Sequence, residues 1–205
     1  MKIISITNRK GGVGKTSVSL HIAEFLSTLG KTVVVDYDVN RSGRYWLERA
    51  DRDPSFRVVG EKEAPRAAVG CDYLVADTPA GPTEQDAIEI ARGSDLTIVP
   101  LIPDAVSLTP TLELIESLPP STLYRVLLTV VPPAPAKEAE HMRELLQGNN
   151  IPVFTAQIRR TIAIAQALAD GLTVRSLPGR SRVAWNDFQA LGKEILALLE
   201  AEDGQ

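Results

Sequence analysis

The sequence predicts an α/β protein, with a doubly wound, mostly parallel sheet flanked by helices in a single domain over residues 1–205. Three observations predict it. Short β-branched runs alternate with amphipathic stretches along the whole chain. The runs are almost continuously apolar, as parallel strands covered on both faces must be. The first run feeds a glycine-rich stretch and then a helical pattern, so a strand, a loop and a helix follow in register.

In order, the strand-like runs are KIISIT (2–7), TVVVDYD (32–38), YLVADT (73–78), LTIVPL (96–101), YRVLLTVV (124–131) and IPVFT (151–155). Helical spacing occupies residues 15–29, about 41–50, 83–92, 106–118, 135–147 and 160–170. A final helix over about 182–200 carries Val183, Phe188, Leu191, Ile195 and Leu198 on one face. The prolines of VVPPAPAKE (130–138) join a strand to a helix whose first turn tolerates proline, and RSLPGRSR (175–182) reads as a second loop. Right-handed crossovers between these parallel strands put any ligand beyond their carboxyl ends.

Composition bounds the function. At 205 residues, 44% hydrophobic and 23% charged, the chain buries a full core without covalent staples. A lone cysteine, Cys71, allows neither an internal disulfide nor a cysteine-rich metal or iron–sulfur site. No stretch approaches the roughly 18 apolar residues of a membrane span, and no signal sequence is apparent, so a cytoplasmic, soluble protein is expected. The net charge of −4 argues against bulk electrostatic binding to nucleic acid, but the charge is uneven. Residues 151–185 hold Arg159, Arg160, Arg175, Arg180 and Arg182 against one acid, Asp170, whereas residues 186–205 are acidic. A basic segment of this kind is compatible with DNA contact and equally with a solvated surface.

The chemistry-bearing stretch is NRKGGVGKTS, residues 8–17. Gly11, Gly12 and Gly14 let backbone N–H groups from Gly12 through Val13 to Thr16 converge on phosphate oxygens where no Cβ intervenes. The helix that follows turns its positive N-terminus toward the same anion. Lys15 neutralises β- and γ-phosphate charge, the Thr16 hydroxyl suits Mg²⁺, and Ser17 completes the loop. Behind it, Asp36 and Asp38 fall at the end of the second strand and Asp77 at the end of a later one, the edge where the loop sits.

The loop departs from G-x-x-x-x-G-K-[ST], because Arg9 stands where the first glycine belongs. What remains, K-G-G-V-G-K-T, resembles the deviant Walker A loop of the ParA/MinD superfamily of ATPases. The resemblance implies that Lys10 reaches across a nucleotide-sandwiched homodimer to phosphates held by the partner subunit, an arrangement with the charge logic of an arginine finger. The alternative is that Lys10 only adds positive potential to its own site. The resemblance further implies that Asp38 orients or activates the attacking water and that Asp36 and Asp77 hold the Mg²⁺ shell through water. DTPAG (77–81) matches the family's nucleotide-responsive turn. Asp38-Val39-Asn40 departs from the family's usual D-P-Q, and Ser17 stands where threonine is commoner.

No N-K-x-D guanine motif occurs, so ATP is favoured over GTP, with adenine expected near Thr129, Val131, Pro132 and VPLIPD (99–104). TAQIRRTIAIAQALADGLTV (155–174) resembles a C-terminal stretch of the family, in which basic residues of the ATP-bound dimer touch DNA without sequence preference. The five arginines above are the candidates here. The leading reading is a small ParA-type partition ATPase with no N-terminal helix-turn-helix, stimulated by a ParB-type centromere-binding protein and associated with the nucleoid. Its cargo, whether plasmid, chromosome region or another large complex, is left open. The alternatives are a MinD-like positioning ATPase, which the acidic terminus ALLEAEDGQ disfavours as a membrane binder, and a small-molecule ligase. His21 and His141 read as packed or surface histidines, and Trp46 and Trp185 as core or interface anchors.

Overall fold

The computed structural model describes residues 1–37, 42–50, 54–179 and 182–204. Among these residues six strands form one parallel sheet: β1 (Lys2–Ile6), β2 (Thr32–Asp36), β3 (Arg57–Gly60), β4 (Tyr73–Asp77), β5 (Leu96–Leu101) and β6 (Tyr124–Leu128). Their order is β3-β2-β4-β1-β5-β6. The chain runs outward from β1 in one direction through β2 and β3, then in the other through β5 and β6. That reversal opens a crevice at the carboxyl end of β1, where a doubly wound sheet takes its ligand. The register pairs Asp36 directly with Asp77 at that edge.

Among the described residues eight α-helices cover the sheet: α1 (Lys15–Leu26), α2 (Ser42–Glu48), α3 (Ala64–Ala67), α4 (Glu84–Arg92), α5 (Ala105–Ser117), α6 (Lys137–Gly148), α7 (Ile162–Ala169) and α8 (Arg182–Asp203). The period-2 alternation of the strands divides the core. Ile4, Ile6, Val34, Val75 and Ile98 meet α1, α7 and α8 on one face. On the other, Val33, Val35, Leu74 and Ala76 meet α3, while Val99, Leu101, Val126 and Leu128 meet α5 and α6. Helices thus pack on both faces, which is why the strands are rich in apolar side chains. Helix starts are fixed locally. Thr83 and Asp86 exchange hydrogen bonds as a capping box at α4, the Asp104 carboxylate accepts the Ser107 N–H at α5, and the Thr161 hydroxyl accepts the Ala163 N–H at α7.

Two expectations need correction. IPVFT is not a sheet strand: it touches β6 through a single bridge, Val153 to Val126. Pro152 has no N–H to give a ladder, and the Arg143 guanidinium takes the Phe154 carbonyl that a further strand would use. Conversely, RVVG (57–60) is a strand that its own pattern does not announce. Two valines are too short a run to signal one, and pairing with β2 supplies the rest. The strand expected over 124–131 ends at Leu128, and Val130 then takes φ +53°.

Candidate functional site

The glycine-rich loop expected to hold phosphate is residues 8–14, between β1 and α1. Gly12 at φ +77° and Gly14 at φ +90° occupy the left-handed region that a side chain resists. A Cβ at either would touch nothing, so the conformation and not crowding requires glycine. Gly14 caps α1 without any side-chain acceptor, which leaves the first amides of the helix available to an anion. The loop is also braced from below. Asn8 is fully buried; its amide donates to the Pro100 carbonyl at 2.7 Å and the Thr111 hydroxyl at 2.8 Å, and its oxygen accepts the Lys10 N–H at 2.9 Å. The Thr129 hydroxyl donates to the Val13 carbonyl at 2.8 Å. From sequence, Thr129 is expected near the base and neither residue has a bracing role; the only local signal for Asn8 is an amide directly after an apolar run.

The two lysines separate. Lys15, on the first turn of α1, is buried and its ammonium lies 3.4 Å from the Lys10 carbonyl, curled over its own loop. Lys10 is only partly buried, and among the described residues no side chain pairs with its ammonium. The hydrogen bond to Asn8 fixes the backbone from which that side chain projects.

Asp36 and Asp77 come together as expected, side by side at the ends of β2 and β4, and both are buried. The Ser19 hydroxyl, on α1, donates to Asp77 Oδ1 at 3.1 Å, whereas Oδ2 is buried with no hydrogen-bond partner among the described residues. Burial, helped by nearby Asp36, raises the Asp77 carboxyl to about 7 against the Thr16 and Ser19 hydroxyls and Lys15, which pull it down. A buried, under-coordinated carboxylate beside a second one and a threonine hydroxyl is the all-oxygen donor set that a hard divalent cation takes. Thr16, Asp36 and Asp77 thus fit Mg²⁺, which when bound would neutralise phosphate charge. Asp38, Val39 and Asn40 lie outside the described residues.

Beside the loop a cleft of about 350 Å³ runs between Gly12, Ser17 and Val18 on one side and Val130, Arg160 and Ile164 on the other. Of the residues expected to hold a base, Thr129 lines this cleft while supporting the loop, whereas Val131, Pro132 and VPLIPD do not line it. Val130, half-buried, lines it next to Thr129. A β-branched residue in the left-handed region is strained by about 1–3 kcal/mol, and such strain concentrates at binding sites.

The basic segment is less open than its composition suggests. Arg159 makes a two-pronged pair with Asp187 of α8, at 2.9 Å through Nε and 2.5 Å through Nη2. Arg175 pairs with Glu24 of α1 at 2.8 Å and lies 5.9 Å from the Trp185 ring centre. Both arginines are exposed, but each has its charge offset by a carboxylate of its own subunit. Arg160 is exposed at the cleft; Arg180 and the Arg182 side chain lie outside the described residues. His21 is buried and Trp46 donates its indole N–H to the Leu172 carbonyl at 2.9 Å, so both are packed residues as expected. Among the described residues no helix is long and apolar enough to cross a membrane.

Comparison with known proteins agrees with this geometry. Residues 4–174 match the CobQ/CobB/MinD/ParA nucleotide binding domain. The chain is 29% identical over 202 residues to the maintenance of carboxysome distribution protein A of Gloeobacter kilaueensis, covering 95% of this chain and 94% of that one. It is 28% identical over 221 residues to protein virC1 of Rhizobium radiobacter, covering 97% and 85%. Its fold superposes on an ATP complex of McdA from Cyanothece with a TM-score of 0.69 and 16% identity, over 96% of each chain. The deviant phosphate loop, the paired carboxylates and the family match together place the chain in the CobQ/CobB/MinD/ParA family, as an ATPase of the ParA/MinD type.

Proposed function

We propose that this chain is an ATP-driven positioning ATPase that works as a nucleotide-sandwiched homodimer. The observation that carries the proposal is the division between its two loop lysines. Lys15 is folded onto its own loop, while Lys10 has a fixed backbone and an ammonium with no partner among the described residues of its own subunit. A cation held this way is suited to phosphate carried by a second copy, where it would stabilise charge on the transferring phosphoryl group. ATP is the nucleotide, and Gly11, Gly12, Val13, Gly14, Lys15, Thr16 and Ser17 cradle its phosphates. Thr16, Asp36 and Asp77 hold the Mg²⁺ shell, and Asp38 orients the attacking water. The base lies in the cleft walled by Val130 and Arg160.

The dimer associates with DNA without sequence preference, through Arg160, Arg180 and Arg182 more than through Arg159 and Arg175, whose carboxylate partners already offset them. A partner protein on the cargo stimulates hydrolysis and releases the dimer. The relatives named for carboxysome distribution favour a large protein body as cargo over the plasmid or chromosome region served by a ParB-type centromere-binding protein.

Sedimentation with and without ATP, in the presence of nonspecific DNA, tests the reading. ATP should convert monomer to dimer, and only the dimer should co-sediment with DNA. Lys10→Gln should abolish ATP-dependent dimerisation and hydrolysis while leaving ATP binding within about twofold. If the variant dimerises and turns over normally, Lys10 contributes only local charge and the proposal fails.

A further inference from the structure

A second cleft, of about 480 Å³, lies on the face of the sheet away from α1. Ile3 of β1 with Leu74 and Ala76 of β4 form its floor, and Ile90 of α4 forms a wall. The volume is that of an ordinary ligand pocket, ~300–1,000 Å³. Its polar floor atoms are committed elsewhere: the Ser5 hydroxyl donates to Thr97, and the Thr78 hydroxyl donates to the Ile6 carbonyl at 2.9 Å. Little is left inside to orient a small polar molecule.

The mouth is different in character. Glu61, Asp86 and Glu89 stand on it, all exposed, and among the described residues no lysine or arginine lines the cleft. Asp86 is held anionic by the Thr83 hydroxyl and N–H, which lower its pKa. An apolar slot rimmed by carboxylates repels DNA and anionic lipid, and complements a cationic segment with an apolar side chain to insert.

The position of the cleft gives it a role. Tyr37, directly after Asp36, lines one end, and Thr78 and Pro79, directly after Asp77, line the same edge. These two segments are tied to each other, since the Tyr37 N–H donates to the Asp77 carbonyl at 3.0 Å. An occupant would therefore press on the residue following each carboxylate of the nucleotide site.

We infer that this cleft is the docking site for a basic, amphipathic segment of a partner protein, through which that partner acts on the Asp36 and Asp77 strand ends. The binding half of this inference stands on the cleft alone; the effect on hydrolysis rests on the ATPase reading above.

The probe is a fluorescein-labelled peptide of alternating leucine and arginine, with a glutamine-for-arginine version as control, titrated by anisotropy without nucleotide. Binding of the arginine peptide should exceed that of the glutamine peptide by about tenfold or more, because only the former is complementary to the rim. Glu61→Lys with Glu89→Lys should lose that advantage. Glu200→Lys with Glu202→Lys, an equal charge change on exposed positions at the end of α8, should alter binding less than about twofold. Equal losses in both double variants would reduce the binding to net charge and overturn the site, as would no binding at all. With ATP and Mg²⁺ added, the peptide should change the hydrolysis rate of the wild type and not of the Glu61/Glu89 variant. Intact binding without that change would overturn the coupling to the strand ends and leave the docking site standing.

Discussion

Lowering the pH should destabilise this protein through one side chain, His21. The imidazole is completely buried in α1 and stacked on Phe188 of α8, with ring centres 4.2 Å apart and planes 11° from parallel. Nδ1 lies 2.7 Å from the Ser17 carbonyl, and Nε2 receives the Val174 N–H at 3.1 Å. Only the neutral ring protonated at Nδ1 meets both neighbours. A second proton on Nε2 would face an N–H and bury a charge. Burial accordingly drives the His21 pKa from 6.5 to about 4, against a smaller upward pull from the Ser17 carbonyl.

The folded pKa is the depressed one, so the unfolded chain takes up the proton first. The stabilisation is complete above pH 6.5 and is lost progressively as pH falls toward 4. Linkage over that interval amounts to about 2 kcal/mol by pH 5 and about 3 kcal/mol by pH 4. That is a large share of the 5–15 kcal/mol typical of a domain. The assay is urea denaturation of the wild type and of His21→Gln at half-unit steps from pH 7.5 to 4.5. Carboxylates titrate in both proteins and cancel in the difference. Asp77 in particular has the opposite sign, because its raised pKa makes it cost less stability as pH falls. The wild-type advantage should therefore shrink by about 2 kcal/mol between pH 7 and 5. A difference that stays level across this range would mean that His21 is solvated or already charged, and the argument from burial would be wrong.

Three further outcomes follow from the same geometry. Gly171→Ala should destabilise by about 2–4 kcal/mol, since its Cβ would lie 2.4 Å from the Ala50 nitrogen at φ +65°, while Gly70→Ala, at φ +73° in open space, should cost only about 1 kcal/mol by urea denaturation. Asp77→Asn should stabilise the nucleotide-free protein at pH 8 by a few kcal/mol in thermal melts with chelator, because it removes a buried carboxylate titrating near 7, and it should abolish Mg²⁺-dependent tightening of ATP. Lys15→Ala should eliminate ATP binding by calorimetry; wild-type affinity would remove this lysine from the phosphate site.

Much of the site was legible in the sequence because its geometry is local. Gly12 and Gly14 are needed for backbone conformations set within the loop itself, and Lys15 and Thr16 follow on the helix that the loop begins. Asp36 and Asp77 could be placed at one edge because parallel strands all end on the same side. Strands buried on both faces read as apolar runs for the same reason, whereas β3 and the bridge at Val153 depend on which neighbour offers a free edge.

The sequence by itself thus determined the fold class, the glycine-rich turn after β1 and the strand-end placement of Asp36 and Asp77, since each is encoded within a few residues or by strand direction. Tertiary structure alone decided the rest. It showed Asn8 anchored to Pro100, 92 residues away, Thr129 bracing Val13 from 116 residues away, and Arg159 and Arg175 paired with Asp187 and Glu24. It also placed the residues of an acidic-rimmed cleft, drawn from four separate strands and helices, around one apolar floor. Charge and hydrogen bonding depend on who sits opposite, and a chain read in order carries no record of its partners across the fold.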